Sequence, residues 1–190
     1  PLISGIEEFR IVRLLVQQIS DELLADGHTI HPTVPLGAMV EVPSSAIMAR
    51  ELVRELDFVS IGTNDLIQYS LAVDRSNNLV AHLYRPTNPA VLRLVSEVIA
   101  AGRAQGVEVS MCGEMAADPL MVPVLIGMGL DKFSMNPNSI PVVRALVRHL
   151  SMREATQIAR RALQLVTARE VEEYLLERLA FLLAKTKIHV

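Results

Sequence analysis

Glu41, Asn64 with Asp65, Arg75 and Cys112 are residue types that hold divalent cations, bind phosphates or move protons. Most of them come straight after a short apolar run. Glu41 lies in Met39-Val40-Glu41-Val42-Pro43, and Cys112 in Ser110-Met111-Cys112-Gly113-Glu114. Between them, the β-branched run ending Ser60-Ile61 breaks at Gly62 and leads through Thr63 into Asn64-Asp65, with Asp74-Arg75 following. Glu41 and Asp65 offer two hard oxygen ligands, which suits Mg²⁺, a cation that usually takes one or two carboxylates and completes its shell from water and substrate. A zinc site would draw on His or Cys clusters, and the single Cys112 has no such company. The planar fork of Arg75 suits a bidentate clamp on phosphate or carboxylate. Cys112 suits a proton donor or nucleophile if its thiol faces the site, with Glu114 placed to orient or charge-tune it.

Each residue also has a plainer reading. Glu41 and Asp65 equally fit helix caps or acceptors for loop amides, Arg75 a solvated surface residue, Cys112 a small buried apolar residue, and Glu114 a partner for a helix or loop hydrogen bond. None of the five histidines has metal-ligand spacing. His28, His31 and His82 fall in expected loops and His149 and His189 near helix ends, so all read as exposed.

Positioning these groups requires strand ends. From about residue 36, short apolar runs alternate with amphipathic stretches, predicting strands at Leu36–Glu41, Asp57–Gly62, Val107–Cys112 and Asp131–Met135. Their near-continuous apolar character predicts parallel strands covered on both faces. Ser44 and Ser45 suit the cap of a helix running to about Leu56, while Asn88-Pro89 and Asp118-Pro119 each set a cap residue before a proline. Gly106 and Gly129 suit helix ends. The repeated order predicts an α/β sheet or barrel with helices outside, and in such folds ligands bind at the carboxyl ends of strands. Glu41, Asn64, Asp65, Cys112 and Asn136 to Asn138 all fall there, and neighbouring strands are about 4.8 Å apart, close enough for Glu41 and Asp65 to share a cation. The 25 residues between Gly62 and Asn88 read as an unusually long binding loop or lid.

At the front of the chain, Pro1 to Ser4 reads as the tail of a strand. Ile6 to Leu24 then has helical spacing at Ile11, Leu14, Leu15, Ile19 and Leu23. A chain that opens at a strand end is expected to be a fragment. At the other end, Ser151 to Glu154 and Thr167 to Glu170 are capping boxes for two further helices. The apolar residues Ile158, Ala162 and Leu165, then Val171, Leu175, Leu179 and Leu182, should pack on the body or on a partner chain. The expected division is residues 1–150 as the α/β part and 151–190 as a helical extension.

Composition narrows the function classes. A chain of 190 residues with 51% hydrophobic residues can bury a large core. Eighteen basic against 21 acidic residues, 4% aromatic residues and no Trp argue against nucleic acid as a partner. The lone cysteine and the lack of a bilayer-length apolar run predict a cytoplasmic protein with no membrane insertion.

Taken together, the three loops carry a resemblance. Met39-Val40-Glu41-Val42-Pro43, Ile61-Gly62-Thr63-Asn64-Asp65-Leu66-Ile67-Gln68-Tyr69 with Asp74-Arg75, and Met111-Cys112-Gly113-Glu114 resemble the phosphoenolpyruvate-utilising enzymes. His82-Leu83-Tyr84-Arg85-Pro86, Pro89-Ala90-Val91-Leu92 and Gly127-Met128-Gly129-Leu130-Asp131 bring the chain nearest to the enzyme I group of the bacterial sugar phosphotransferase system. The resemblance implies the C-terminal part of a (β/α)₈ TIM-type barrel that binds phosphoenolpyruvate and passes its phosphoryl group to a protein histidine, releasing pyruvate. It further implies Mg²⁺ held by Glu41 and Asp65, substrate contacts from Asn64, Asp65 and Arg75, and Cys112 as the acid that protonates the enolate carbon. A phosphocarrier partner, reached through a phosphohistidine domain lying upstream, and a homodimer are implied as well. Ser76 stands where the family often has glycine and Asn88 where a histidine is common. Nothing here resembles the family's phosphoryl-accepting histidine, and the earlier strands with further arginines would precede Pro1. The 190 residues alone are therefore expected to be catalytically incompetent. A dikinase or synthase that passes the phosphoryl group to a nucleotide through a similar histidine domain, and a non-catalytic dimerisation or regulatory module, are the competing readings.

Overall fold

The computed structural model describes residues 1–31 and 33–186. Helix α1 (Ile6–Ala25) precedes a sheet of four parallel strands, β1 (Gly37–Val40), β2 (Phe58–Gly62), β3 (Glu108–Cys112) and β4 (Lys132–Phe133), ordered in space as in the chain. The ladder aligns Val40 with Ile61 and Ile61 with Met111, and Gly62 with Cys112. Helices α2 (Pro43–Ile47) and α3 (Ala49–Leu52) join β1 to β2. Helix α4 (Thr63–Leu71), a 3₁₀ turn at Ala81–Leu83 and α5 (Pro89–Gln105) join β2 to β3, and α6 (Glu114–Ala117) with α7 (Val122–Met128) joins β3 to β4. Each crossover moves one strand in the same direction, and right-handed crossovers then place the helices on a single face. The result is an α/β sheet compatible with part of an α/β barrel.

Burial follows that geometry and corrects the expectation of strands covered on both faces. Ala38, Val40, Val59, Ile61, Val109 and Met111 alternate along the strands and are buried in the core beside the helices. The residues between them, Met39, Ser60, Ser110 and Cys112, are only half-buried on the other face. Successive side chains of a strand point to opposite faces, so the polar members of the runs mark the open side.

Several boundaries differ from the sequence reading for visible reasons. The helix expected from Ser44 to Leu56 is broken at Met48, and Ser45 donates its hydroxyl to Val42 O (2.9 Å) instead of capping. The long loop after Gly62 is not structureless, because α4 begins at Thr63 directly off the strand. Asp118 does not open a helix: its Oδ1 accepts from Leu120 N (2.8 Å) in a turn, and α7 starts at Val122. β4 is shorter than expected, although Ser134 N still donates to Met111 O (2.8 Å). Pro1 to Ser4 is not a strand; Leu2 is left-handed, which no ladder accommodates, and its N–H is committed to Glu41. Asn88 does cap α5, accepting from Ala90 N, and Gly106 and Gly129 end their helices in the left-handed region.

Helix α1 has the expected span but not a covered apolar stripe. Phe9 is buried, while Ile11, Leu14, Leu15 and Ile19 are more than half exposed. An ion pair of Glu55 with Arg10 (2.5 Å) and Arg13 (2.8 Å) ties the helix to the turn before β2.

After β4 come α8 (Ile140–His149), α9 (Met152–Ala162) and α10 (Ala168–Thr186). Both capping boxes form: Ser151 Oγ accepts from Glu154 N (3.2 Å), and Thr167 Oγ1 accepts from Glu170 N (3.2 Å). Ile158, Ala162, Val171, Leu175 and Leu182 are buried in the same core as the sheet, with Leu165 packed against it. No helix among the described residues is long and apolar enough to cross a membrane.

Helices α7 and α9 pack tightly at Gly127. A Cβ on Gly127 would overlap the Ala155 carbonyl and lie 2.8 Å from Ala159 Cβ. Gly127→Ala must therefore push the helices apart, and should lower unfolding free energy in urea by about 1 to 3 kcal/mol. Gly5→Ala, where nothing lies within 4 Å, should cost less, since only the N-cap preference of α1 changes there. Equal stabilities for the two variants would contradict this packing.

Candidate functional site at the strand ends

Glu41 follows β1 and is 4% exposed. Its Oε1 accepts from Leu2 N (2.6 Å), and its Oε2 lies over the end of β2, where a Cβ on Gly62 would come within 2.8 Å of it. Only glycine lets the carboxylate cross the neighbouring strand so closely. Gly62 is also the residue from which α4 starts, so Asp65 falls in the first turn of that helix, half-buried, where the unpaired N–H groups favour negative charge. Two carboxylates at adjoining strand ends, one of them buried, give a hard-oxygen donor set that fits Mg²⁺ with water or substrate completing the shell. No group of three or more His, Cys, Asp or Glu able to hold a metal occurs among the described residues, so the donors do not fit a closed zinc site.

The end of β3 is pinned to the start of α4. Thr63, fully buried, donates Oγ1–H to Cys112 O (2.9 Å). Gly113 then turns at φ +93°, and a Cβ there would overlap Thr63 Oγ1 and lie 2.9 Å from Asn64 Oδ1. The turn presents Glu114 N to Asn64 Oδ1 (3.1 Å). The half-buried thiol of Cys112 donates to Ile61 O (3.6 Å).

These contacts leave an open cleft of about 430 Å³ lined by Asn64, Cys112, Glu114, Asp118, Ser134 and Asn136 among others. Arg75 stands at its rim, paired with Glu114 at 3.7 Å. Tyr84 donates its hydroxyl to Asn64 O (3.2 Å) and ties the loop carrying Arg75 to α4. Burial pushes the Tyr84 phenol above its ordinary range; Glu114 adds to this and Arg75 opposes it. The structure thus gathers Asn64, Cys112 and Arg75 around one mouth, with Glu41 and Asp65 beside it rather than in its wall. His28, His31, His82 and His149 are exposed and do not line the cleft, and His189 lies outside the described residues.

Four residues that shape this region had no part in the chemistry assigned from the sequence: Ser60, Thr63, Tyr84 and Asp118. Two of them left a legible sign. Ser60 lies two positions before Gly62, so strand alternation puts both on one face, and Thr63 is the hydroxyl beside the glycine break. Tyr84 and Asp118 reach the site through turns that spacing does not encode.

A sequence model described as the PEP-binding domain of PEP-utilising enzymes matches residues 1–152. The chain belongs to this family. It is 46% identical over 174 residues to the phosphoenolpyruvate-protein phosphotransferases of Bacillus sp. (strain S) and Geobacillus stearothermophilus, a span that covers 92% of the chain and 30% of each relative. It is 44% identical over 181 residues to the protein of the same name from Haemophilus influenzae, covering 93% of the chain and 32% of that relative. The chain thus spans about a third of the length of the curated relatives it matches.

Burial raises the affinity of Asp118 for its proton; the Leu120 N–H opposes this, and the charge of Glu172 adds to it. A carboxyl whose folded value is raised holds its proton more tightly when folded, so stability is greatest below the ordinary aspartate range and falls as pH rises through the raised value. Asp118→Asn keeps an oxygen for Leu120 N and removes the charge. It should raise Tm by about 2 °C at pH 7, with the gain disappearing toward pH 3 in a thermal scan series. A gain independent of pH would contradict the assignment.

Proposed function

We propose that this cleft binds phosphoenolpyruvate in a phosphotransferase that passes the phosphoryl group to a protein histidine, the first step of the phosphotransferase system, and releases pyruvate. The observation that carries the proposal is the convergence of Asn64, Arg75 and Cys112 on one mouth beside Glu41 and Asp65, in a chain of the PEP-binding family. The relatives' names favour a protein acceptor over the nucleotide chemistry of a dikinase.

The division of labour follows from what each group has free. Asn64 spends its oxygen on Glu114 N, leaving its amide NH₂ to donate to a substrate oxygen. Arg75 is paired with Glu114 through side chains that are 46% and 78% exposed, and it also lies beside the Tyr84 hydroxyl. Such a pair is worth at most about 1 kcal/mol, so a phosphate can take the guanidinium over. Glu41 and Asp65 would hold Mg²⁺, which when bound supplies positive charge against the phosphate and the developing enolate. Cys112 gives its S–H proton to the enolate carbon, making the methyl group of pyruvate and leaving the electron pair on sulfur.

We assign the acceptor histidine, and the phosphocarrier that it serves, to parts of the protein other than this cleft. We therefore assign binding, but no turnover, to the 190 residues alone. We also propose that residues 1–150 form one part of a (β/α)₈ barrel, with 151–190 as its helical extension, working as a cytoplasmic homodimer. The exposed Ile11, Leu14, Leu15 and Ile19 on α1 support association, since contiguous apolar surface favours burial against another chain.

Titration calorimetry of phosphoenolpyruvate into the chain tests the site. Binding should require Mg²⁺ and should weaken at least tenfold in both Glu41→Gln and Asp65→Asn; unchanged binding in both would overturn the metal assignment. Pyruvate released from phosphoenolpyruvate by the chain alone would overturn the division of labour. Light scattering at micromolar concentration should give the mass of a dimer, and a monomer would defeat the association proposal.

A further inference from the structure

Ser60 lies on the open face of β2, two residues before Gly62, and is half-buried. Its Oγ donates to Cys112 Sγ at 3.8 Å across the β2–β3 ladder, within the wider range that sulfur accepts. The neighbouring hydroxyl on the same face, Ser110, is committed elsewhere: it donates to Val59 O at 3.2 Å. The thiol's own proton points to Ile61 O at 3.6 Å. Cys112 is therefore held at both ends of its polarity, with its proton on a carbonyl and its sulfur lone pair facing one hydroxyl. Ile61 O can only accept, so it favours the thiol. Ser60 can donate, so it favours whatever form carries more negative charge on sulfur.

We propose that Ser60 is the positioning residue for Cys112, holding the sulfur and stabilising the thiolate left after proton transfer. The inference rests on the reading of Cys112 as the proton donor to the enolate. In that step the S–H bond breaks, a C–H bond forms at the enolate carbon, and the S–H electron pair stays on sulfur. The Ser60 O–H keeps its own proton throughout and donates a hydrogen bond to the sulfur. That bond strengthens as charge develops, because donors to an ionised acceptor bind about twice as strongly as donors to a neutral one. A contact stronger in the transition state than before it speeds the step without tightening substrate binding. A proton from solvent water in the open cleft then restores the thiol. Parallel pairing of Ser60 with Ser110 fixes the backbone that carries the hydroxyl, so the device needs no flexible segment.

The same hydroxyl must govern how fast Cys112 reacts with an electrophile, since the thiolate is the attacking form. Iodoacetamide alkylation of the sole cysteine at pH 7.5, followed by mass spectrometry of the intact chain, measures this directly. Ser60→Ala should slow alkylation about three- to tenfold with an unchanged melting temperature, and Ser60→Thr, which keeps a hydroxyl at the same carbon, should restore most of the rate. A rate in Ser60→Ala equal to that of the unaltered chain overturns the proposal, as does a Ser60→Thr variant that is folded yet as slow as Ser60→Ala. Repeating the reaction with phosphoenolpyruvate and Mg²⁺ separates this inference from the reading beneath it. Protection of the thiol supports the cleft as the substrate site. No protection in a chain that still shows the Ser60 effect overturns that reading, and with it the role of the contact in proton transfer, while the contact itself stands.

Discussion

The parallel ladder of β1, β2 and β3 is the constraint on which the rest depends. Val40, Ile61 and Met111 lie side by side in its last buried row, so the next residue of each strand emerges at the same edge. Those residues are Glu41, Gly62 and Cys112, a carboxylate, a gap and a thiol. The gap matters as much as its neighbours, because it lets Glu41 lie across β2 and lets α4 start at once with Thr63, Asn64 and Asp65. A slip of one residue in the register would turn Cys112 toward the helices and Met111 toward the open side, since strand side chains alternate. The buried row resists that slip: Val40, Ile61 and Met111 are each at most 1% exposed, and moving them to the open face would give up their burial.

The body and the site are held by different forces. The body is apolar packing, close enough between α7 and α9 that only glycine fits at residue 127. The site is held by single hydrogen bonds from its rear wall: Thr63 to Cys112 O, Asn64 to Glu114 N, and Tyr84 to Asn64 O. Its charged front, Arg75 with Glu114, is exposed and weakly held. A rigid floor with exchangeable charge at the rim suits a ligand that brings its own negative charge. Displacing a weak surface pair costs little, whereas rebuilding the floor would disturb the core.

Much of this was legible in the sequence because local rules and tertiary packing agreed. The capping boxes at Ser151 and Thr167 and the Asn88 cap form as their patterns dictate, and the apolar runs before Glu41, Gly62 and Cys112 are strands. Where the reading failed, a competing interaction won. The residues after Gly62 looked like loop because asparagine and aspartate favour turns, yet here they form the first turn of α4. The spacing of α1 correctly gave a helix, but periodicity does not say whether an apolar stripe is covered, and most of this one is not. Side-chain partners across strands, such as Ser60 with Cys112, lie 52 residues apart in sequence and become visible only once the register is known.

Glu41 and Asp65 are proposed to form one cation site that phosphoenolpyruvate completes. Mn²⁺, which takes the same hard oxygen ligands as Mg²⁺, allows a direct reading, since free Mn²⁺ gives a six-line electron paramagnetic resonance signal that broadens away on binding. With the chain in excess, adding phosphoenolpyruvate should remove more of the free signal than the ligand removes without protein. Glu41→Gln and Asp65→Asn should each abolish that extra loss. An extra loss that persists undiminished in both variants would contradict the account.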